Sequence, residues 1–180
     1  MKPHLHAALL SCLLALTACN KKAEPAVFRD KDEGVEVTYD TSAWETTEAF
    51  GVTALFCVGD DCPGLMCRIY GELDGFNWPA STDKAALQSI DAFLLDQEKS
   101  AGGKTAVTTE PTNVQTLGGR ETLVNVMKRE LIDNEPTTVA YFFREGDRVG
   151  LVKCDGRGKS VAAARAKMDS LAAGTRFIGG

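Results

Sequence analysis

Four cysteines in the body of the chain, Cys57, Cys62, Cys67 and Cys154, are the residues whose type and spacing could carry chemistry. Three of them follow one another at five-residue intervals in CVGDDCPGLMC. Four thiolates can bind zinc tetrahedrally, whereas an even number of thiols in an oxidising compartment forms disulfides. A redox pair favours the spacing C-x-x-C, which the sequence lacks. The compartment therefore decides which chemistry these cysteines serve.

The N-terminus predicts export. After Lys2, the largely apolar run Ala7–Ala18 has the length of the hydrophobic region of a signal peptide and is too short for a membrane span. The following stretch, Leu16-Thr17-Ala18-Cys19, resembles the bacterial lipobox. That resemblance implies that residues 1–18 are removed and that Cys19 is diacylated and N-acylated. The alternative is an ordinary secretory signal with Cys19 as a chance thiol, which also predicts export.

The lipobox resemblance also implies a place in the envelope. In Gram-negative lipoproteins, Asp after the lipidated Cys tends to retain the protein at the inner membrane, and here the residue is Asn20. We therefore expect anchoring at the outer membrane, facing the periplasm. Two or three acyl chains anchor a protein stably. The tether after Cys19, Asn20–Ala26, spans at most about 25 Å. It would hold a single periplasmic domain, residues 27–180, close to its membrane.

Export favours disulfides between the four cysteines over zinc. If the first hairpin is centred on Cys62, Cys57 faces Cys67 within bridging distance and Cys62 at the tip reaches Cys154. We prefer this pairing. The alternative joins Cys57 to Cys62 and Cys67 to Cys154. In either case the long bridge closes a loop that contributes up to about 4.7 kcal/mol through chain entropy.

The composition argues against several function classes. The only histidines, His4 and His6, lie in the predicted signal, so the mature chain lacks the base of Ser-His-Asp and Cys-His catalysis. Without Lys2 there are 19 basic and 25 acidic residues, a net charge of −6, which argues against nucleic-acid binding. We expect no enzyme activity, no cofactor and no bound metal.

The run GRGKS, Gly156–Ser160, ends like a phosphate-binding P-loop. A complete P-loop has Gly five positions before Gly158, and here that residue is Lys153. We therefore expect no nucleotide. The run is better explained as a turn in which Ser160 caps the last helix.

Apolar alternation predicts eight strands: Val35–Tyr39, Phe50–Val58, Leu65–Leu73, Lys104–Glu110, Thr112–Leu117, Arg120–Ile132, Thr137–Arg144 and Arg148–Cys154. A first helix begins after a cap at Ser81 or Thr82 and ends at Gly102-Gly103, with Asp91 and Glu98 outside its apolar stripe. A second helix covers Ser160–Ala173. Short turns imply antiparallel pairing. The order predicts an α+β fold in which two amphipathic helices cover an antiparallel β-sheet of about seven to eight strands.

This order and several short motifs resemble the PsbP-like superfamily, which includes the extrinsic photosystem II protein, DcrB-type bacterial lipoproteins and the Ran-binding Mog proteins. The resembling pieces span about Ala26–Ile178: Phe28, Gly34–Val37, Trp44, Gly118-Gly119-Arg120, Tyr141–Phe143, Gly146–Val149 and Phe177. The chain departs from the pattern in lacking Pro shortly before the Trp and in carrying the cysteine loop. The resemblance implies a protein that binds or scaffolds other proteins, and it transfers no functional residue.

These observations give one favoured function and three alternatives. We expect a membrane-anchored, non-catalytic scaffold or binding module for a protein partner, with Asp60, Asp61 and Trp78 as candidate contact residues. An acidic surface on a periplasmic lipoprotein would also suit an immunity protein that neutralises a secreted toxin. A small-molecule or metal carrier would need a concave apolar pocket. Enzyme chemistry on the turn carboxylates ranks last.

Overall fold

The computed structural model of the protein describes residues 25–49, 52–100, 106–129 and 136–179. These parts form ten strands and three helices: β1 (Pro25–Asp30), β2 (Val35–Asp40), β3 (Trp44–Ala49), β4 (Val52–Cys57), β5 (Met66–Tyr70), α1 (Lys84–Ser100), β6 (Ala106–Leu117), β7 (Arg120–Arg129), β8 (Pro136–Glu145), β9 (Arg148–Arg157), α2 (Gly158–Ala163), α3 (Arg165–Ala173) and β10 (Thr175–Phe177). The α+β class predicted from the sequence is confirmed.

Seven strands form one antiparallel sheet in the order β3-β4-β5-β9-β8-β7-β6. The hairpin between β6 and β7 turns at Gly118 and Gly119, whose φ angles of 60° and 81° suit residues without a Cβ. The predicted strands Lys104–Glu110 and Thr112–Leu117 are one strand, β6, with irregular pairing around Glu110. Pro111 lies within this irregular stretch, at the edge of the sheet, where a missing backbone donor is tolerated.

Three short strands form a second sheet, in the order β1-β2-β10, that the sequence does not predict. β2 is its central strand, and Val35 and Val37 are buried in the core. The predicted second helix is two helices, α2 and α3, which meet at the buried residue Ala164. Helices α2 and α3 and the second sheet together cover one face of the large sheet.

The large sheet is buried on both faces, because side chains of successive strand residues point in opposite directions. Leu123 and Met127 of β7 join the core under α1, and Val124 and Val126 join the core under α3. We call these two sides the α1 face and the α3 face. Burial on both sides explains why β7 and β8 are apolar almost without interruption.

Helix α1 is fixed to the sheet by a partly buried carboxylate. Asp91 Oδ1 accepts hydrogen bonds from the backbone N–H of Thr112 (2.9 Å), its hydroxyl (2.5 Å) and Asn125 Nδ2 (2.8 Å). The placement of Asp91 away from the packed side of α1 was therefore wrong. The helix cap was also misplaced: Asp83, and not Ser81 or Thr82, accepts the N–H of Ala86 at 2.9 Å.

Ser160 does not cap the last helices. The residue before α2 is Arg157, which makes no side-chain capping bond. The Ser160 hydroxyl instead donates to the backbone oxygen of Pro63 at 3.2 Å. The predicted cap is thus wrong, and Ser160 joins α2 to the cysteine loop.

Candidate docking groove

The four cysteines form two disulfides, Cys57–Cys62 and Cys67–Cys154. The preferred pairing, Cys57 with Cys67 and Cys62 with Cys154, was wrong, and the alternative pairing is the observed one. The physical reason is register. Cys67 of β5 pairs with Leu55 of β4 and, on its other side, directly with Cys154 of β9. The Cα atoms of Cys67 and Cys154 lie 4.0 Å apart.

The candidate contact residues do not come together. Asp60 and Asp61 are exposed in the cysteine loop. This loop lies at the end of the sheet where β5 begins opposite Asp155. Asp61 accepts a hydrogen bond from Lys167 Nζ at 2.9 Å, which lowers the pKa of the Asp61 carboxyl. Trp78 lies at the opposite end of the sheet, half-buried, with the Arg144 guanidinium 4.9 Å from its ring centroid. A single contact surface containing all three residues is therefore not formed.

A groove lies on the α1 face of the described residues. Helix α1 packs over β6, β7 and β8. Along the sheet, the apolar cluster beneath the helix extends as far as Leu151 of β9. The groove lies where this cover ends, between α1 on one side and β5 with the following loop on the other. Its volume is about 250 Å³. That is below the range of roughly 300–1,000 Å³ usual for small-molecule pockets.

The groove has apolar walls and floor. Phe93 and Leu94 of α1 form one wall, Phe142 and Leu151 of the sheet form the floor, and Tyr70 of β5 stands opposite. At one end, aromatic rings close the packing. Phe76 stacks on Phe142 with 4.6 Å between ring centroids and meets Phe93 edge-on at 5.5 Å. An apolar side chain of a partner would be desolvated on three sides here.

The other end of the groove is charged. Glu98, in the last turn of α1, accepts hydrogen bonds from Lys153 Nζ at 2.6 Å and from Arg129 Nε at 2.8 Å. The Glu98 side chain is 7% exposed. Burial alone would raise the pKa of Glu98, but the hydrogen bonds and charges of Lys153 and Arg129 outweigh it and hold the pKa below its usual value. Glu98 is therefore ionised at neutral pH, and its placement away from the packed side of α1 was wrong.

Beside this end lies a basic side chain of β5 that does not line the groove. Arg68 of β5 lies directly opposite Lys153 of β9 and on the same face, two residues from Tyr70. Lys153 is neutralised by Glu98. Arg68 is half-buried and makes no ion pair with any residue of the described parts of the chain. The groove thus has an apolar cleft and three charged lining residues, Asp74, Glu98 and Lys153, and Arg68 lies next to Lys153 outside this lining.

Little in the sequence predicts this groove. The charged residues of this region are far apart along the chain: Glu98, Lys153, Arg129 and Arg68. Each one alone would be interpreted as a solvated surface charge. Only the strand register and the docking of α1 bring them together. Phe76 lies against the rings that close the groove. Trp44 is buried in the core of the α3 face.

Other parts of the described chain offer different surfaces. Of the other grooves, one contains Lys159 and Arg165, another contains Arg29 and Arg176, and a third is lined in part by Phe56, Met66 and Pro136. Within residues 25–49, 52–100, 106–129 and 136–179, no group of three or more Cys, His, Asp or Glu side chains could hold a metal ion. None of the helices in these ranges has the length and apolarity needed to cross a membrane. Cys19 and the predicted signal lie outside the described residues.

Comparison with known proteins identifies the fold. No family model and no curated sequence matches the chain. The solution structure of cyanobacterial PsbP (CyanoP) from Synechocystis sp. PCC 6803 superposes with a TM-score of 0.57 at 12% identity, covering 90% of this chain and 98% of that one. LpqN, involved in cell envelope biogenesis of Mycobacterium tuberculosis, superposes with a TM-score of 0.51 at 11% identity, covering 89% and 87%.

The Ran-binding protein Mog1p of Saccharomyces cerevisiae is similar over 87% of this chain and 96% of its own, at 7% identity, but its TM-score of 0.48 is too low to support an argument. At these identities a likeness concerns the backbone arrangement and not the site. The resemblance to PsbP-like proteins expected from the sequence is therefore confirmed at the level of fold. The chain has the PsbP-like α+β fold.

Proposed function

We propose that the protein is a lipid-anchored envelope protein that binds a protein partner through the groove beside α1 and performs no catalysis. The observation that carries this proposal is an apolar cleft whose lining includes Lys153, next to which lies Arg68, a cation without an ion pair in the described parts of the chain. A desolvated cleft that accepts an anchoring side chain, with a charge at its rim, is the usual anatomy of a protein-binding hot spot.

The size of the cleft favours a protein partner over a carried small molecule. A volume of about 250 Å³ holds two or three apolar side chains of a docked segment, whereas drug-sized ligands need more enclosed space. The charge favours a particular partner chemistry. We infer a segment whose apolar side chains enter between Phe93 and Tyr70 and whose carboxylate meets the Arg68 guanidinium.

The envelope location rests on the disulfides and on the lipobox resemblance. Two disulfides indicate an extracytoplasmic protein. The chain enters the domain at Pro25, which pairs with Asp40 of β2. The turn after β2 lies next to the cysteine loop, because Ala43 accepts the backbone N–H of Val58 at 2.8 Å. A short tether from Cys19 would thus place the cysteine loop toward the membrane and leave the groove on the side of the domain.

Site-specific photo-crosslinking in living cells tests the proposal. Tyr70 is replaced by a photoreactive phenylalanine analogue, and Tyr39, a half-buried tyrosine of the second sheet that packs on the opposite side, is the matched control. We expect a discrete adduct from position 70 and none from position 39. Equal adducts from both positions, or none from position 70, would count against docking in the groove. The identity of the adduct separates the two roles: an envelope assembly protein supports a scaffold, and a secreted toxin supports immunity.

A further inference from the structure

The two disulfides of the protein differ in their surroundings. Cys67 and Cys154 are both fully buried and join two neighbouring strands of the large sheet. Cys57 is only partly buried, although its partner Cys62 is fully buried. Cys57 is therefore the one cysteine of the two bridges that is in part open to solvent, whereas both residues of the other bridge are covered.

A lysine lies against the more exposed bridge. Lys167 of α3 has its Nζ 3.9 Å from Cys57 Sγ and 3.8 Å from Cys62 Sγ. A cation at this distance stabilises a thiolate relative to a thiol, and a stabilised thiolate leaves faster in disulfide exchange. Lys167 also donates to Asp61 at 2.9 Å, and this carboxylate partly offsets the positive charge that the sulfurs experience.

We propose that Cys57–Cys62 is an exchangeable disulfide, reduced by proteins that carry a reactive dithiol, while Cys67–Cys154 remains closed. In the first step a thiolate of the dithiol attacks Cys57 Sγ, and the Cys62 thiolate leaves toward Lys167. In the second step the other thiol of the dithiol attacks the mixed disulfide and releases the Cys57 thiolate. Two electrons and two protons pass to the protein, and the dithiol becomes a disulfide.

The fold does not depend on the exchangeable bridge. The loop keeps several other attachments, including the hydrogen bond from Ser160 to Pro63 and the buried side chain of Leu65. The bridge itself joins residues only five positions apart. Its reduction therefore loosens the segment that carries Asp60 and Asp61, at the end of the domain where the tether enters, and leaves the sheet intact.

The test measures which cysteines become reactive when the folded full chain, purified in detergent, is exposed to graded dithiothreitol near neutral pH. Free thiols are trapped with N-ethylmaleimide and located by peptide mass spectrometry, and circular dichroism reports the fold. We expect labelling of Cys57 and Cys62 at dithiol concentrations that leave the bridge from Cys67 to Cys154 closed and the spectrum unchanged.

Variants of Lys167 and Asp61 test whether these charges control the rate at which the bridge is reduced. Lys167→Met should slow the reduction of the bridge by about three- to tenfold, and Asp61→Asn should accelerate it, since the lysine then acts without its counter-ion. Lys159→Met, an exposed lysine on α2, is the matched control and should leave the rate unchanged. Simultaneous labelling of all four cysteines would overturn the proposal. So would equal rates in wild type, Lys167→Met and Asp61→Asn; the last variant retains the lysine and guards against a folding defect in the first.

Discussion

Glu98 at the end of α1 and Lys153 in the middle of β9 form an ion pair, with 2.6 Å between Oε1 and Nζ, at the charged end of the groove. The two residues are 55 positions apart along the chain, and their side chains are 7% and 24% exposed. The pair fixes the last turn of α1 to the sheet at the point where the cover of the α1 face ends. The groove depends on this attachment, because α1 forms one of its walls.

A double-mutant cycle should show that this pair stabilises the fold. Glu98→Gln, Lys153→Met and the double variant are compared by urea unfolding, and we expect a coupling energy of about 1–3 kcal/mol because both groups are largely removed from water. The control cycle uses Glu72 and Arg148, an exposed pair at 3.8 Å, for which we expect about 0–1 kcal/mol. Equal coupling in the two cycles would show that burial does not strengthen the Glu98 pair.

The same carboxyl should make stability depend on pH. The pKa of Glu98 in the folded protein lies below its ordinary value of 4.5, so the folded state binds its proton less tightly than the unfolded state. The stabilisation is present above about pH 4.5 and is lost as the pH falls through the folded pKa. The difference in unfolding free energy between wild type and Glu98→Gln should therefore stay constant down to about pH 4.5 and shrink below it. A difference that grows on acidification would contradict this assignment.

The two disulfides should contribute unequally to stability. In the chain-entropy account, the bridge from Cys67 to Cys154, with a sequence separation of 87, contributes about 4.6 kcal/mol, and the bridge from Cys57 to Cys62 contributes about 2 kcal/mol. Paired Cys→Ala variants of each bridge are compared by guanidinium unfolding. A larger loss from removing the local bridge would show that strain or residual structure, and not loop length, dominates.

Asp91 should be essential to the seating of α1. Asp91→Ala leaves three donors on β6 and β7 without their acceptor, and we expect a loss of about 2–3 kcal/mol in unfolding free energy. Asp96→Ala, an exposed aspartate one turn further along the same helix, should change stability by less than about 0.5 kcal/mol. Similar losses in the two variants would assign the effect to helix charge instead of the hydrogen bonds of Asp91 to the sheet.

The sheet and its hairpins were predictable because local signals determine them. Gly118-Gly119 produces the β6–β7 hairpin, and Glu145-Gly146-Asp147 produces the β8–β9 hairpin, where Gly146 has a φ of 61°. β3 was missed, because Trp44 is followed mainly by polar residues in a strand at the edge of the sheet. The second sheet was missed because its three strands are short and come from both ends of the chain.

The register of the first hairpin could not be read from the cysteines alone. Centring it on Cys62 would place Leu55 opposite Ile69, but Leu55 pairs with Cys67. Leu65 is fully buried, and its carbonyl accepts the backbone N–H of Cys57 at 3.0 Å. The β4–β5 register therefore differs by two residues from the one centred on Cys62, and the separate pairing of β5 with β9 places Cys67 opposite Cys154. The position of β9 is a tertiary effect that cysteine spacing does not reveal.

The groove was beyond prediction for a related reason. Its charged residues form ion pairs with residues on other elements, as Glu98 does with Lys153 and Arg129. Polar residues in a helix are expected to face solvent, and only a cation supplied by the sheet makes the burial of a carboxylate tolerable. The apolar stripe of α1 was recognisable from the sequence. The sequence did not show that the helix covers the sheet only as far as β9.

Charge reversal at Arg68 tests the docking claim most directly. The yield of the crosslinked adduct from the photoreactive residue at position 70 is measured in cells for the otherwise unchanged chain, for Arg68→Glu and for Lys159→Glu on the opposite side of the sheet. We predict that Arg68→Glu lowers the yield by about tenfold, equivalent to about 1.4 kcal/mol of binding free energy, and that Lys159→Glu leaves it unchanged. An undiminished yield with Arg68→Glu, or equal losses in both variants, would contradict docking of an acidic, apolar segment in this groove.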